Sequence, residues 1–242
     1  MAMYRDQLPQ LSGGLFLGDG GIETSLIFLD GLDLPLFAAF TLLKDKEGKG
    51  WDALVKYFRS YVELAREHEL GIILESATWR ASPDYAAQLG YSKEALAEAT
   101  RESIELLQAL RPPRPQPHTP PIVISGCIGP RGDGYDPKTT MSEVEAEAYH
   151  AEQVRIFAQE TSADLVTCVT MTHSAEAVGI VRACVREGVG CVVSFTVETD
   201  GRLPTGQGLG EAVTQVDSAT DCAPVYYMVN CAHPTHFAHA LE

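Results

Sequence analysis

Short runs of apolar, often β-branched residues recur along the chain and alternate with segments of helical periodicity. The runs are short enough for strands and apolar enough to be buried on both faces, as the strands of parallel sheets are. They lie at Leu15–Leu17, Gly71–Leu74, Ile122–Ile124, Leu165–Val169, Cys191–Phe195 and Val225–Val229. The pattern predicts about six parallel strands in an α/β protein.

Helices are predicted between these strands. One apolar stripe at helical spacing consists of Trp51, Leu54, Val55, Phe58, Val62 and Ala65. Ser142 and Glu145 have the spacing of a capping box, which predicts a helix that turns Val144, Ala148, Ala151 and Phe157 inward. Ser174 can cap a further helix that stops at Gly188.

Polar and reactive side chains follow the end of every predicted strand. Examples are Asp19-Gly20-Gly21 after the first strand, Glu75-Ser76 after the second, and Asn230-Cys231 after the sixth. A (βα)8 TIM-type barrel collects such residues from many loops, whereas an open sheet concentrates them at one switch point. The distribution favours one barrel domain over residues 1–242, with the proline-rich stretch 111–121 as a surface loop.

The strand count and the charge refine this picture. A closed barrel has eight strands, so we expect a barrel truncated after about six βα units. Such a barrel has open sheet edges. We expect these edges to favour a homo-oligomer or to leave the segment from about His233 mobile. The formal net charge is −15, which argues against nucleic-acid and anionic membrane partners. Because neither a membrane span nor a signal peptide is recognisable, we expect a cytoplasmic protein with six reduced cysteines.

Four motifs give the chain a resemblance to the homocysteine S-methyltransferase family. They are Gly18-Asp-Gly-Gly-Ile-Glu-Thr24, Leu74-Glu-Ser-Ala-Thr78, Val197-Glu-Thr-Asp-Gly-Arg-Leu-Pro204 and Val229-Asn-Cys-Ala-His-Pro234. The resemblance covers nearly the whole chain. It implies an S-methyltransferase of methionine biosynthesis, which moves a methyl group from a sulfonium or ammonium donor to a thiol, homocysteine or a relative. Its partners would be these two small molecules.

The resemblance also implies a zinc cofactor, of which Cys231 would be a ligand. Zinc deprotonates a thiol, whose ordinary pKa is about 8.5, while keeping it nucleophilic, and three protein thiolates leave one position for the substrate sulfur. The family's other two thiolates form a Cys-Cys pair, and this sequence has none. We therefore expect zinc to bind this chain weakly or not at all, and the chain as given to be inactive if the rest of the metal site is absent. No catalytic residue beyond the metal site is implied.

The same resemblance implies the acceptor-binding residues. Asp19 would accept the ammonium of homocysteine, the amides of Gly20 and Gly21 would approach its carboxylate, and Ser76 corresponds to a family threonine nearby. The remaining candidates are Glu75, Thr170, Glu198 and Asn230. Val169 stands where the family usually has a glutamate that holds the ammonium, which leaves the identity of the acceptor open.

Two alternatives stay open from the residues themselves. One is a degenerate, zinc-free barrel that binds an amino-acid-like ligand. The other is a metal hydrolase that uses His233, His236 and His239, although the spacing of these histidines favours a helix start with surface histidines. Cys127, Cys168, Cys184, Cys191 and Cys222 are expected to pack in the core.

Overall fold

The computed structural model describes residues 2–44, 46–114, 119–138 and 140–240 and contains two compact units. The first unit comprises Met1–Cys127 and Glu160–Asp164, and the second comprises Ile128–Gln159 and Leu165–Glu242. Strands alternate with helices throughout both units, as the hydrophobic pattern predicts.

Six parallel strands form where the apolar runs occur. In the first unit the order is β1 (Phe16–Gly18), β2 (Gly71–Glu75) and β3 (Ile122–Ile128), with Phe16 opposite Gly71 and Ile72 opposite Ile122. In the second unit the order is β4 (Leu165–Met171), β5 (Cys191–Phe195) and β6 (Tyr227–Val229). The registers place Val166 opposite Cys191 and Val193 opposite Tyr227.

Eight α-helices occur among the described residues. They are α1 (Ile22–Phe28), α2 (Lys49–Glu67), α3 (Pro83–Gln88), α4 (Lys93–Leu110), α5 (Glu143–Arg155), α6 (Ser174–Glu187), α7 (Leu209–Thr220) and α8 (Pro234–Phe237). Short 3-10 turns precede β1 and α2, and α5 continues as a π-helical turn over Ile156–Glu160. None of these helices is long and apolar enough to cross a membrane.

The first unit is organised by α2 and by one buried carboxylate. The predicted stripe of α2 is confirmed, since Leu54, Phe58 and Val62 are buried. Asp164 is fully buried and accepts the N–H groups of Met3 and Tyr4 at 2.8 Å and of Ile124 at 2.9 Å. Its other partner is the guanidinium of the buried Arg111. Asp164 thereby holds the N-terminal segment against the start of β3.

The second unit corrects the predicted face of α5. Val144 is 72% exposed and Ala148 is exposed, whereas Ala146 and Val154 are buried. Small residues allow this face of α5 to pack closely against α6. A Cβ on Gly179 of α6 would lie only 2.5 Å from the Cβ of Ala146.

A buried hydrogen bond joins the same two helices. His150 Nε2 lies 2.9 Å from Glu176 Oε1, and both side chains are 1% exposed. The N–H of Arg131 also donates to Glu176 Oε1, at 2.7 Å. Simple apolar periodicity cannot reveal a helix face built from alanine, histidine and glycine.

Helix ends follow the sequence signals with one shift. The capping box of Ser142 and Glu145 is present, and Gly188 caps α6 in the left-handed conformation with φ +70°. His173, one residue earlier than Ser174, is the N-cap of α6. The described part of the proline-rich stretch 111–121 contains no helix or strand, and Pro115 and Pro117 lie outside the described residues.

Candidate active site

Asp19 is the first polar residue after β1 and is bound to the end of β2. Its N–H donates to the carbonyl of Ile73 at 3.3 Å, and its Oδ2 accepts the N–H of Glu75 at 3.2 Å. Burial raises the pKa of Asp19 well above its ordinary value, and the neighbouring carboxylates of Glu75 and Glu23 raise it further. The structure therefore brings two predicted site residues, Asp19 and Glu75, into contact.

Gly20 and Gly21 form the turn between β1 and α1, and both allow a close approach. A Cβ on Gly20 would lie 2.3 Å from Tyr61 Oη, and one on Gly21 would lie 2.6 Å from Thr24 Oγ1. Neither space admits a larger residue without displacement of its neighbour. The Gly-Gly pair thus brings the start of α1 next to the tyrosines of α2.

Two residues of this region were not predicted from the sequence. Glu23, in the first turn of α1, is 9% exposed, and its pKa is raised to about 7 by burial, an effect that Arg80 partly opposes. Tyr57 of α2 is 7% exposed, and burial followed by the charge of Asp19 raises the pKa of its hydroxyl. The only signal in the sequence is that Glu23 follows Asp19 by four residues across a glycine turn.

Ser76 uses its hydroxyl within the first unit. It lies 2.6 Å from Thr78 Oγ1 and accepts the N–H of Cys127 at 2.9 Å, while Thr78 Oγ1 donates to the Cys127 carbonyl at 2.7 Å. Ser76 is 2% exposed. These bonds fix the residues after β2 to β3.

Asn230 organises the residues around Cys231 in the second unit. Its Oδ1 accepts the N–H of Thr170 at 2.9 Å and the hydroxyl of Ser194 at 2.8 Å. Its Nδ2 donates to Thr170 Oγ1 at 2.9 Å and to Cys231 Sγ at 3.2 Å. The structure therefore brings together three predicted site residues: Thr170, Asn230 and the exposed Cys231.

The backbone around Asn230 is unusual at two positions. Thr170 has φ +65° beside a register shift between β4 and β5, and Cys231 has φ +55°. A β-branched residue rarely adopts positive φ, and such backbone persists only where surrounding bonds hold it. The side chain of Asn230 supplies these bonds to Thr170.

Glu198 lies apart from this group in the loop after β5. Its side chain is exposed, and its N–H donates to the carbonyl of Arg202 at 2.8 Å. The structure gives it no contact with Asn230 or Cys231 among the bonds of the described chain.

Cysteine burial agrees with the sequence except at one position. Cys127, Cys168, Cys184 and Cys191 are buried, but Cys222 is exposed. Cys222 follows the end of α7, where it has φ +55° and its backbone lies outside the helix. The expectation that Cys222 packs in the core is wrong.

The histidines after β6 form a helix start. His233 is the N-cap of α8, and its Nδ1 lies 2.8 Å from Thr235 Oγ1 and accepts the Thr235 N–H. Over the described ranges, no group of three or more His, Cys, Asp or Glu residues could hold a metal ion. Cys231 is one thiolate where the family's zinc has three, so the described residues do not make up that zinc centre.

Comparison with known proteins identifies the family. The sequence matches the family described as homocysteine S-methyltransferase over residues 16–242. The chain belongs to this family. No curated protein gave a match in the corresponding search.

Solved structures show the fold. The chain is similar to the homocysteine methyltransferase MmuM from Escherichia coli in its metallated form, at 20% identity and a TM-score of 0.74, over 97% of this chain and 82% of MmuM. The oxidised form has a TM-score of 0.72 and the apo form 0.68, at 20% and 18% identity. Each of these two matches includes 98% of this chain. They cover 79% of the oxidised form and 81% of the apo form. The predicted α/β fold, of TIM type with six βα units, is confirmed. Family membership also makes the protein a methyltransferase.

Proposed function

We propose that the protein transfers a methyl group from a sulfonium or ammonium donor to the thiol of homocysteine or a related amino acid, which gives methionine or its analogue. Family membership supports methyl transfer to such a thiol. The observation that carries the proposal is the position of Cys231: it is exposed at the end of β6, and Asn230 donates a hydrogen bond to its Sγ.

In this proposal each predicted site residue has its own task. Asp19, with Glu75 beside it, accepts the ammonium of the acceptor, and the N–H groups of Gly20 and Gly21 approach the acceptor's carboxylate. Asn230 and Thr170 keep Cys231 in place. The placement of Asp19 and Cys231 at the ends of parallel strands supports these roles, because βα folds use the loops after strands for chemistry.

The family's zinc would supply a deprotonated, nucleophilic acceptor thiol when bound. Cys231 is the residue of this chain that would contribute to its coordination. The described residues supply one of the three cysteine ligands that the family's zinc takes.

The test is a pair of measurements on the protein as it exists. L-homocysteine binding is followed by calorimetry, and methionine formation is followed with S-methylmethionine, S-adenosylmethionine or glycine betaine as donor and added zinc. We expect homocysteine to bind and Cys231→Ala to abolish any transfer. Cys222→Ala is the matched control, since Cys222 is also exposed and also has positive φ. Absence of homocysteine binding, or transfer unaffected by Cys231→Ala, would contradict the proposal.

A further inference from the structure

A histidine just after β4 is buried with one of its ring nitrogens unpartnered. The side chain of His173 is only 10% exposed. Its Nδ1 lies 3.2 Å from Thr172 Oγ1 and 3.8 Å from Glu176 Oε2. Its Nε2 is buried and makes no hydrogen bond to any described residue. Buried polar atoms are nearly always paired in folded proteins, so this nitrogen lacks a partner that a ligand can supply.

The hydroxyl of Thr172 determines what kind of partner Nε2 needs. Thr172 is 2% exposed, and within the described ranges its hydroxyl has one hydrogen-bond partner, His173 Nδ1. An unsatisfied buried donor is costly, so the hydroxyl donates its hydrogen to Nδ1 and the ring proton sits on Nε2. Nε2 is therefore a donor that lacks an acceptor. An ammonium or sulfonium group cannot fill this place, because neither accepts a hydrogen bond.

The start of α6 favours an acceptor with negative charge. His173 is the N-cap of this 14-residue helix, whose first-turn N–H groups have no intrahelical partner and give this end a partial positive charge. Glu176 belongs to the same turn, but its Oε1 already accepts the Arg131 N–H at 2.7 Å and lies 2.9 Å from His150 Nε2. A ligand carboxylate has the charge that this end of the helix favours and the acceptor oxygens that Nε2 lacks.

The loop between β5 and α7 fixes the backbone on both sides of His173. Thr205 Oγ1 donates to the carbonyl of Thr172 at 2.9 Å. On the other side, the N–H of Ser174 donates to Gln207 Oε1 at 3.3 Å. The buried imidazole is thus held in position before a ligand arrives, which lowers the entropy that binding costs.

A short piece of chain connects His173 with the residues around Cys231. Asn230 Nδ2 donates both to Thr170 Oγ1 and to Cys231 Sγ. His173 follows Thr170 by three residues, which span at most about 11 Å. An amino-acid-sized ligand covers a distance of this order, so one such molecule can reach His173 while its other end lies near Thr170.

We propose that His173 Nε2, together with the first turn of α6, binds the carboxylate of the methyl donor, so that the protein prefers sulfonium or ammonium donors that carry a carboxylate. This rests on the proposed function, in which such a donor gives its methyl group to a thiol. The acceptor's carboxylate is assigned there to Gly20 and Gly21, which leaves the donor's carboxylate for His173.

Two pairs of probes test the preference, and the members of each pair differ in the carboxylate. S-methyl-L-methionine is compared with its carboxamide, and glycine betaine with choline. Binding to the full chain is measured by calorimetry for the wild type, His173→Asn, His173→Gln and His68→Asn. Asparagine can replace Nδ1 but not Nε2, whereas glutamine reaches the position of Nε2. His68 is exposed at the end of α2 and is the matched control. Circular dichroism checks that each variant is folded.

We expect the wild type to bind the carboxylate member of a pair about tenfold or more tightly than the neutral member, as a charged hydrogen bond provides. His173→Asn should reduce this ratio to about twofold or less and leave the affinity for the neutral member nearly unchanged. A merely structural defect would weaken both members equally. His173→Gln should keep part of the preference, and His68→Asn all of it.

Each contrary result has a separate meaning. A preference that persists in His173→Asn would overturn the role of His173 and leave the proposed function intact. Equal wild-type affinity for both members would show that the donor's carboxylate is not recognised. Weaker L-homocysteine binding in His173→Asn, with unchanged donor binding, would assign the carboxylate to the acceptor instead. If neither pair binds, this inference is wrong, and the proposed function fails with it only if L-homocysteine does not bind either.

Discussion

Asp164 and Asp19 are both carboxylates of the first unit, but their surroundings are opposite. Asp164 is fully buried and accepts three backbone N–H groups and a guanidinium. Asp19 is partly buried, accepts the N–H of Glu75 and faces the carboxylates of Glu75 and Glu23. Hydrogen-bond donors surround Asp164, whereas two other carboxylates face Asp19.

Their places along the strands explain the difference. Asp164 directly precedes β4, and Asp19 directly follows β1. In βα folds the residues before strands serve stability and the residues after strands serve chemistry. A carboxylate supplied with donors by its own protein stabilises the fold, and one left short of donors is ready for a ligand that brings them.

The largest effect is expected from Asp164→Asn. Each oxygen of Asp164 accepts hydrogen bonds from two donors. In either orientation, the NH2 group of an asparagine would therefore face N–H donors and could not accept their hydrogen bonds. Removing one partner of a buried ion pair also leaves Arg111 uncompensated. We expect the free energy of unfolding to fall by about 3–5 kcal/mol. Urea denaturation measures this fall, and faster proteolysis near Met3 should accompany it. A change of under about 1 kcal/mol would contradict a structural role for this carboxylate.

The next effect concerns the pH dependence of stability at Glu23. Its pKa is about 4.5 in an unfolded chain and about 7 in the folded protein, so the native state binds the proton more tightly. Its contribution therefore favours folding at low pH and is lost as pH rises from about 4.5 through 7. Glu23→Gln has no carboxylate to ionise and therefore keeps its stability as the pH rises. Its free energy of unfolding should exceed that of the wild type by on the order of 2–3 kcal/mol at pH 8, and the two should be nearly equal at pH 4.5.

Urea denaturation of both proteins at several pH values tests this sign. Asp19 titrates in both, so the difference between the two curves reports Glu23. A wild type that gains stability relative to Glu23→Gln between pH 5 and pH 8 would show that the fold stabilises the charged form of Glu23, which contradicts the prediction.

Asp19→Asn should separate binding from stability. It removes the charge that would accept a ligand ammonium, so L-homocysteine affinity should fall by on the order of 2 kcal/mol, measured by calorimetry. Stability at pH 7 should be kept or increased, because the pKa of Asp19 is raised in the fold. The control is Asp52→Asn, which changes an exposed carboxylate on α2. Unchanged affinity in Asp19→Asn would remove Asp19 from the acceptor site.

The sequence predicts the strands well because buried parallel strands are continuous apolar runs, such as Cys191–Phe195. It predicts the face of α5 poorly, because that face is set by Ala146 against Gly179 and by the pair of His150 with Glu176. These contacts join residues far apart in the chain and have no apolar periodicity.

The candidate site is likewise predicted only in part from the sequence. Asp19 and Cys231 stand out because motifs surround them, but three of the four bonds of Asn230 depend on Thr170, which lies 60 residues away, and on Ser194. Glu23 is an acid in the first turn of a helix, a frequent position for acids on any surface. Only its burial near Asp19 distinguishes it.

The smallest effect is expected from Asp30→Asn, which asks whether an ion pair alone makes a carboxylate structural. Asp30 Oδ1 lies 2.5 Å from Lys56 Nζ, closer than the 2.8–2.9 Å of the Asp164 amide bonds, but the two side chains are 24% and 73% exposed. Water and salt screen such a pair, and the lysine loses side-chain entropy in forming it, so its net contribution is about 0.5 kcal/mol. We expect a fall of this size in urea denaturation at low salt and none at 0.5 M salt, on the order of a tenth of the effect of Asp164→Asn. A loss of about 2 kcal/mol or more that persists in high salt would show that a short ion pair suffices, without burial or backbone donors, to make a carboxylate structural in this protein.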